Sequence, residues 1–275
     1  MFKKIFDNVQ ETTPLVHCIT NYVTVNDCAN ALLACGGSPI MADDSSEVED
    51  ITSICAALDI NIGTLNERTI PSMLKAGKKA NELGHPVVLD PVGAGASALR
   101  TKTTFELLEQ VRFRVIRGNI SEIKTVYAGS GTTKGVDADV SDAVTKQNLE
   151  DVILFAKELS ERTGAVIAIT GAIDIVADSK EAYIITNGHR DMSKVSGTGC
   201  MLSAMIAAYV GANPKEALKA TAAAVCVMGV SGELAHERKK KNDAGTSSYR
   251  TYIIDEISNM TSKKLKERVQ IEHRK

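Results

Sequence analysis

The chain has 275 residues, of which 44% are hydrophobic and 24% charged, and its formal net charge is −2. This length accommodates one large domain or two small ones, and the near-neutral charge argues against broad electrostatic attraction to nucleic acid or to a membrane surface. Aromatic residues make up 4% of the chain and tryptophan is absent, which argues against nucleobase stacking as the main activity.

The N-terminus and the cysteines indicate a cytoplasmic protein. No apolar segment follows Lys3 and Lys4, so we predict no signal peptide. No stretch approaches about 18 consecutive apolar residues, so we predict no membrane span. The six cysteines form no Cys-x-x-Cys pair, and a chain of this size needs no disulfide framework. We therefore expect six reduced thiols.

Short β-rich runs alternate with helical stretches along the chain. Ala and Leu in residues 26–35 predict a helix that ends at Gly36-Gly37, and Ser46-Glu47-Val48-Glu49 has the pattern of a capping box. In chain order we predict a helix at 26–35, a helix opened by 46–49, a strand at 58–62, a helix at 70–83, a strand at 86–89, a helix at 105–111, a strand at 114–116, a helix at 149–159, a strand at 165–169, an antiparallel hairpin of 173–177 and 182–185, and a helix at 201–209. Beyond Gly199 we predict almost all helix.

This alternation predicts an α/β fold, with a mainly parallel central sheet covered by helices on both faces, in a single domain spanning 1–275. In such sheets ligands bind beyond the carboxyl ends of the strands. Four polar or glycine-rich segments lie where a strand or hairpin ends, and they are the candidate site: Asp90-Pro91-Val92-Gly93-Ala94-Gly95, Arg117-Gly118-Asn119, Thr170-Gly171 and Gly197-Thr198-Gly199-Cys200.

The last of these segments has the features of an anion site. Its glycines let the backbone turn tightly before a long Ala- and Met-rich helix, whose first N–H groups and dipole favour a phosphate. The sequence is neither a Walker A loop nor Gly-x-Gly-x-x-Gly, and a plain loop-to-helix turn is an equal reading. Cys200 lies at the helix start, where the dipole is expected to lower the pKa of its thiol, so it is either a weak base or a buried packing residue.

Asn119 and Glu122 are three residues apart just after a strand and share one face of a helical turn. A carboxylate and an amide so placed suit hydrated Mg²⁺, but they also suit a helix cap, and both readings are compatible. Asp90 ends a buried strand and adds negative charge near such a metal, or serves as a turn residue before Pro91. Arg117 is either a phosphate clamp or a surface charge.

These pieces, in this order, strongly resemble the hydroxyethylthiazole kinase family of the ribokinase-like superfamily over about residues 14–258. The motifs that carry the resemblance are Pro14-Leu15-Val16-His17-Cys18-Ile19-Thr20-Asn21-Tyr22-Val23, Gly37-Ser38-Pro39-Ile40-Met41-Ala42, Leu89-Asp90-Pro91-Val92-Gly93-Ala94-Gly95, Arg117-Gly118-Asn119-Ile120-Ser121-Glu122, Ile169-Thr170-Gly171 and Gly197-Thr198-Gly199-Cys200. The His-Cys-Ile-Thr-Asn segment, and a cysteine where the superfamily usually has aspartate, separate this family from its relatives.

The resemblance implies a three-layer ribokinase-like fold and ATP-dependent phosphorylation of the alcohol of 4-methyl-5-(2-hydroxyethyl)thiazole, in thiazole salvage for thiamine biosynthesis. It also implies Mg²⁺, and a cytoplasmic homotrimer with active sites between subunits, so that Met41 and the Asn21 segment face Cys200 of another chain. The implied roles are Cys200 as catalytic base; Gly197, Thr198 and Gly199 as anion hole; Met41, Gly197, Asn21 and Val23 at the substrate; Arg117, Thr170 and Asn119 at ATP; and Glu122 and, through water, Asp90 at the metal.

Three alternatives stay open from the sequence. The nearest is another ribokinase-like vitamin kinase, such as a hydroxymethylpyrimidine kinase, against which Cys200 and the segment 17–21 argue. A second is an ADP/ATP-dependent lyase that repairs hydrated nicotinamide cofactors on the same fold, and a third is a nucleotide-binding module without catalysis. His17 is a tempting general base, but a structural histidine is the better interpretation because the resemblance gives it no catalytic role.

Overall fold

A computed structural model describes residues 2–129 and 143–275 of the chain. Within these residues nine strands form a single sheet in the order β2-β1-β3-β4-β5-β6-β7-β8-β9. The strands are β1 (Leu15–Ile19), β2 (Ser38–Met41), β3 (Ala57–Asn61), β4 (Val87–Asp90), β5 (Val115–Gly118), β6 (Val166–Ile169), β7 (Asp174–Ala177), β8 (Ala182–Ile185) and β9 (Ile271–Arg274). The first six strands are parallel, and β7, β8 and β9 continue the sheet as antiparallel strands. The fold is therefore the α/β class that the alternating pattern predicted.

Helices connect the parallel strands and cover both faces of the sheet. Among the described residues they are α1 (Lys3–Thr12), α2 (Val25–Cys35), α3 (Val48–Ile54), α4 (Thr69–Leu83), α5 (Ala98–Gln110), α6 (Ile120–Gly129), α7 (Leu149–Thr163), α8 (Thr198–Ala212), α9 (Ala217–Lys241), α10 (Thr246–Ser258) and α11 (Ser262–Arg268). A 3₁₀ turn, Arg190–Lys194, lies between β8 and α8.

Two hydrophobic cores lie on the two faces of the sheet. Successive strand residues point to opposite faces, so Val88 of β4 packs in one core and its neighbours Val87 and Leu89 pack in the other. The first core holds side chains of α1, α2 and α8 to α11, and the second holds those of α3 to α7. The central strands are buried on both sides, which explains why they are nearly continuous apolar runs rather than alternating ones.

Most of the predicted elements are confirmed to within a few residues, including the antiparallel hairpin of β7 and β8. The prediction of a capping box at 46–49 is wrong. Helix α3 begins after Glu47 without a side-chain cap, and the N–H of Ser46 instead donates to Asp44 Oδ1 at 2.8 Å. The turn is thus made by an aspartate outside the predicted motif.

The chain beyond Gly199 is not entirely helical. Its last element is the strand β9, in which Ile271 pairs with Ile185 and His273 pairs with Tyr183 of β8. The imidazole of His273 stacks on the ring of Tyr183 with centroids 4.6 Å apart. Charged residues flank this edge strand, and its partner strand is far away along the chain, so no local pattern identified it.

Helix α9 is long and apolar enough to cross a membrane by length and composition alone. In the fold, however, 83% of the residues in its most apolar window are buried. It packs against α8 and α10 in the first core. Its apolar character is accounted for by burial inside the protein.

Asp59 is a polar exception inside this interior. It lies in the middle of β3, is fully buried, and neither of its carboxylate oxygens has a hydrogen-bond partner. Burial first, and then the nearby carboxyl of Asp90, raise the pKa of Asp59 well above its ordinary value. The folded protein therefore holds a proton on Asp59 under conditions where the unfolded chain has lost it.

We predict that Asp59→Asn stabilises the protein more at pH 8 than at pH 5. A carboxyl whose folded pKa is raised loses its proton first in the unfolded state, so wild-type stability falls as the pH rises above about 4 towards the folded pKa. The isosteric amide never ionises and escapes this loss. Thermal unfolding at both pH values measures the difference, with exposed Asp43→Asn as the matched control. A gain that is equal at the two pH values contradicts the prediction.

Candidate active site

The sequence-predicted site residues come together at the carboxyl end of the parallel sheet. Asn61, Asp90 and Gly118 are the last residues of β3, β4 and β5, and Thr170 directly follows β6. The N-terminal part of α8 faces the same edge, since Ser203 donates to Asp90 and Cys200 accepts from Asn21, two residues after β1. The rule that ligands bind beyond the carboxyl ends of parallel strands therefore pointed to segments that the fold brings together.

Gly197 caps α8 in a conformation that favours glycine. Its φ is +86°, in the left-handed region, and a Cβ at this position would lie 2.3 Å from Cγ2 of Thr24. No side-chain cap occupies the start of α8, so the first N–H groups of the helix are oriented towards the space before it. Together with the helix dipole these groups favour an anion, so the geometry is compatible with the predicted anion site.

Gly199, two residues on, allows Arg117 to approach the helix. A Cβ on Gly199 would lie 2.4 Å from Nη1 of Arg117. The guanidinium donates from Nη2 to Thr170 Oγ1 at 2.6 Å and from Nη1 towards Asp90 Oδ2 at 3.4 Å. Arg117 is thus a largely buried cation at the anion site rather than a surface charge, and Thr170 holds its orientation.

The Asp90 carboxylate connects several elements of the site. Its Oδ2 accepts hydrogen bonds from Asn61 Nδ2 at 2.9 Å and Ser203 Oγ at 2.8 Å, in addition to the contact with Arg117. Its Oδ1 is buried and has no partner. Burial raises the pKa of Asp90, and the positive charge of Arg117 opposes that rise.

The structure corrects the expected chemistry of Cys200. The helix dipole was expected to lower the pKa of this thiol, but burial and then the carboxyl of Asp90 raise it above its ordinary value. The local sequence showed the helix start but not the carboxylate, which is more than a hundred residues away along the chain. The resting thiol is therefore protonated at neutral pH.

Asn21 contacts the thiol within the same chain. Its Nδ2 donates to Cys200 Sγ at 3.2 Å and to Asn61 Oδ1 at 3.1 Å. The expectation that the Asn21 segment faces Cys200 of another subunit is thus wrong for the Asn21 side chain. The intermediate residue, Asn61, was missed by the sequence analysis. Its only signal was a polar residue in a predicted strand, and every residue of that strand is buried.

Asn119 and Glu122 form the helix cap that the sequence left open. Asn119 Oδ1 accepts from the N–H of Glu122 at 2.9 Å, and Glu122 Oε2 accepts from the N–H of Asn119 at 2.8 Å. Glu122 Oε1 accepts from the N–H of Gly93 at 2.8 Å. The pair caps α6 and ties it to the loop after β4, while each carboxylate oxygen keeps a further lone pair for water or a cation.

A cavity of about 580 Å³ opens beside the anion site. Its polar lining includes Arg117, Asn119, Thr170, Thr198 and Gly199. Its apolar lining is Met192, Leu202, Val225 and Met228. A volume of this size, with apolar walls and a few convergent polar groups, is typical of a site for a cofactor-sized ligand. One wall holds Asp174, whose pKa burial raises to about 7.

Two predicted substrate residues lie to the side of this centre. Met41 ends the edge strand β2 and packs, partly buried, on the first core. The side chains of Tyr22 and Val23 are 76% and 63% exposed. Val23 lines a second, smaller cavity of about 230 Å³ together with Lys194, Val195 and Ser196, the residues that lead into the Gly197 turn.

His17 is a structural residue, as the sequence interpretation held. Its two ring nitrogens form hydrogen bonds with Thr52 Oγ1 at 2.9 Å and with the carbonyl of Ala42 at 2.8 Å, and burial lowers its pKa. The fold also brings His189, Asp191 and His236 together, which the sequence spacing had not suggested. The Asp191 carboxylate is already paired with Lys194 at 3.0 Å and Lys239 at 2.8 Å, so this cluster is an ion-pair network.

Comparison with known proteins gives one consistent result. A profile of the hydroxyethylthiazole kinase family matches residues 6–263. The chain is 65% identical to a hydroxyethylthiazole kinase of Clostridium acetobutylicum over 96% of this chain and 97% of that protein. It is 50% identical to a protein of the same name from Clostridium tetani over 98% of this chain and 97% of that protein.

Solved structures agree with these relatives. The structure of the hydroxyethylthiazole kinase protein of Pyrococcus horikoshii OT3 superposes with a TM-score of 0.88 at 34% identity, covering 100% of this chain and 99% of that one. A pyridoxal kinase of Staphylococcus aureus superposes with a TM-score of 0.57 at 18% identity, over 79% of this chain and 86% of that one. That second likeness shows the fold alone.

We predict that Gly199→Ala weakens ATP binding at least about 10-fold without unfolding the protein. The new Cβ displaces the end of a flexible side chain, the Arg117 guanidinium, from Thr170 and Asp90. The backbone has no such obstacle, so the melting temperature should change little. Isothermal titration with ATP and Mg²⁺ measures the affinity. Gly245→Ala is the matched control because its Cβ meets no atom within 4 Å. An unchanged affinity for ATP in Gly199→Ala would show that the position of Arg117 does not contribute to ATP binding.

Proposed function

Because the chain belongs to the hydroxyethylthiazole kinase family, we propose that it transfers the γ-phosphoryl group of ATP to the hydroxyethyl alcohol of 4-methyl-5-(2-hydroxyethyl)thiazole. The proposed role is thiazole salvage for thiamine biosynthesis. The whole chain acts in this proposal as one ribokinase-like domain, in agreement with a sheet whose strands run from residue 15 to residue 274. The observation that carries the proposal is the convergence of three groups at one sheet edge: the Gly197 turn before α8, the buried Arg117 cation and the Cys200 thiol.

The phosphate end of the site follows from this convergence. Phosphoryl transfer has a loose transition state whose charge is spread over the equatorial oxygens, so catalysis depends mainly on positioning and on charge stabilisation. The first N–H groups of α8 and the Arg117 guanidinium provide fixed positive charge for these oxygens. The cavity lined by Thr198, Thr170 and the apolar residues accommodates the remainder of the nucleotide.

Cys200 receives the alcohol proton in this proposal through its minor thiolate form, which arises when the resting thiol loses its S–H proton to solvent. The alcohol keeps its proton until its oxygen begins to bond to the γ-phosphorus. That bond makes the O–H more acidic, and the proton then passes to the thiolate sulfur as ADP leaves. A base of this kind contributes modestly, since general acid–base help in enzymes is worth about 10²- to 10⁴-fold. The N–H of Asn21 at the sulfur partly compensates for the loss of solvent around it.

The side chains at the metal position fit Mg²⁺. Asp90 Oδ1 is a buried acceptor without a partner, and the Glu122 carboxylate lies on the same side of the site through its bond to Gly93. Mg²⁺ binds proteins through one or two carboxylates and retains several waters. Glu122 and, through water, Asp90 would hold the ion, and the ion would neutralise charge on the triphosphate. Asn119 orients Glu122 for this role.

The proposal includes a cytoplasmic homotrimer with active sites between subunits. The exposed Tyr22 and Val23 directly follow Asn21, and Met41 lies on an edge strand, so a neighbouring subunit would cover these residues and complete the pocket for the thiazole ring. The phosphate half of the site and the thiol belong to one chain. All six cysteines are free, which fits a reducing compartment.

The assay that tests this proposal measures substrate-dependent ADP release with ATP, Mg²⁺ and 4-methyl-5-(2-hydroxyethyl)thiazole, with hydroxymethylpyrimidine in a parallel reaction. We expect release with the thiazole alone. Release with the pyrimidine alone would assign the protein to the neighbouring vitamin kinases. If ADP is released with neither alcohol, the proposed kinase activity is contradicted.

We predict that Cys200→Ala lowers kcat by no more than about 10²-fold, because a weak base contributes only the lower part of the usual range. Cys200→Asp should retain activity or exceed it, since an aspartate is the usual residue of the superfamily at this position. Steady-state kinetics with the thiazole alcohol measure both variants. A Cys200→Asp protein that folds and binds both substrates but does not turn over would show that Cys200 is not the base.

A further inference from the structure

Thr24 lies between the two halves of the candidate site. It is buried, directly precedes α2, and contacts both the amide of Asn21 and the backbone of Gly197. Its hydroxyl and its methyl group point to different partners. The residue does not line the cavity for the nucleotide, but its hydroxyl lies within hydrogen-bond reach of the sulfur of Cys200.

The hydroxyl of Thr24 helps to fix the orientation of the Asn21 amide. Asn21 Oδ1 accepts from the N–H of Thr24 at 3.1 Å and from its Oγ1 at 3.0 Å. A backbone N–H only donates, so the amide atom that faces Thr24 must be the oxygen, and the NH₂ group must face the other way. There it donates to Cys200 Sγ at 3.2 Å and to Asn61 Oδ1 at 3.1 Å.

The same reasoning fixes the second amide. Asn61 Oδ1 accepts from the N–H of Gly63 at 2.9 Å, so its NH₂ group faces Asp90. Two backbone N–H groups thus set the direction of the chain of hydrogen bonds, and the Thr24 hydroxyl is a second donor that holds the Asn21 amide in place. As a result the sulfur of Cys200 faces a donor, and its own S–H hydrogen points away from Asn21.

The methyl group of Thr24 packs against the anion turn. Its Cγ2 occupies the place where a side chain on Gly197 would begin, 2.3 Å from the position of that Cβ. The turn has φ of +86° at Gly197 and continues directly into the first N–H groups of α8. The methyl group therefore sets how far this backbone approaches the sheet, and with it the position of the groups that bind phosphate.

We propose that Thr24 is a positioning residue with two separable functions: its hydroxyl, beside the Cys200 sulfur, holds the Asn21 amide whose N–H reaches that sulfur, and its methyl group holds the Gly197 turn in place. The expected change in kcat rests on the proposed phosphoryl transfer. The expected positions of the Asn21 amide and the Gly197 turn rest on the observed contacts alone. Neither function requires Thr24 to touch a substrate.

Two conservative variants separate these functions. Thr24→Val removes the hydroxyl and keeps the methyl group, and we expect kcat to fall about 3- to 10-fold, the effect of one buried hydrogen bond, with KM for both substrates changed less than about twofold. Thr24→Ser keeps the hydroxyl and removes the methyl group. Thr221→Val is the matched control, because Thr221 is fully buried in α9 and its hydroxyl has no partner. Wild-type kcat in Thr24→Val overturns the role of the hydroxyl.

Each variant is then combined with Cys200→Ala in a double-mutant cycle. The loss caused by Thr24→Val should shrink to less than about 1.5-fold when the sulfur is gone, because the hydroxyl acts through it. The loss caused by Thr24→Ser should remain, because the methyl group acts on the turn. A merely structural Thr24 would give the same loss in both backgrounds for both variants, and that result contradicts the proposal.

A second measurement does not depend on catalysis. The rate at which iodoacetamide alkylates Cys200 in the ligand-free protein is followed against pH by mass spectrometry of the peptide that contains it. The charged groups acting on this sulfur are Asp90 and Arg117, and both are retained in the variants. The side chains of Asn61 and Thr24 also lower the pKa of the thiol by hydrogen bonding, and only Thr24→Val removes one of these contacts. We expect the pH at the midpoint of this alkylation profile to rise in Thr24→Val and to stay unchanged in Thr24→Ser. An unchanged midpoint in Thr24→Val overturns the proposal, even if the protein proves to phosphorylate no alcohol.

Discussion

The buried carboxylate of Asp90 is the interaction on which the site depends. One oxygen accepts hydrogen bonds from β3 through Asn61 and from α8 through Ser203, and it faces the Arg117 cation of β5. A buried carboxylate is costly unless it is compensated, so these elements are held in the one arrangement that supplies donors. That arrangement places the start of α8, the thiol and the guanidinium around a common space.

The same carboxylate limits the chemistry of the thiol. Its negative charge and the burial of the sulfur keep Cys200 protonated, while Arg117 and the Asn21 N–H act in the opposite direction. With so little thiolate present, Cys200 is a weak base, and this suits a reaction in which the alcohol loses its proton during transfer and not before it. Efficient catalysis then relies on position and fixed charge, which accounts for the two glycines at 197 and 199, where any side chain would displace Thr24 or Arg117.

The hydrogen-bond chain from Thr24 through Asn21 and Asn61 to Asp90 explains how the polar side chain of Asn61 is accommodated inside the protein. Asn61 and Asp59 lie two residues apart on β3 but differ in their hydrogen bonding. The Asn61 amide has partners on both sides, whereas the Asp59 carboxyl has none. Asn61 connects the alcohol half of the proposed site to its phosphate half. The burial of Asp59 destabilises the folded protein, and the proton that the carboxyl retains reduces this destabilisation.

The sequence by itself determined the class of fold, the order of most elements and the segments that carry the site. These properties are local: hydrophobic periodicity, glycine stops and polar residues at strand ends are all written within a few neighbouring positions. The family resemblance also rested on short contiguous motifs. Short-range signals failed at the Ser46 turn, where a neighbouring aspartate took the hydrogen bond.

Only the tertiary structure decided how the site residues act on one another. The raised pKa of Cys200 depends on burial and on Asp90, the approach of Asn21 to that sulfur joins positions 179 residues apart, and β9 finds its partner across the domain. Such effects depend on distance and on dielectric surroundings, which a linear pattern does not contain. The sequence indicated which groups form the candidate site. Their protonation and the directions of their hydrogen bonds depend on which of these groups are buried together in the folded chain.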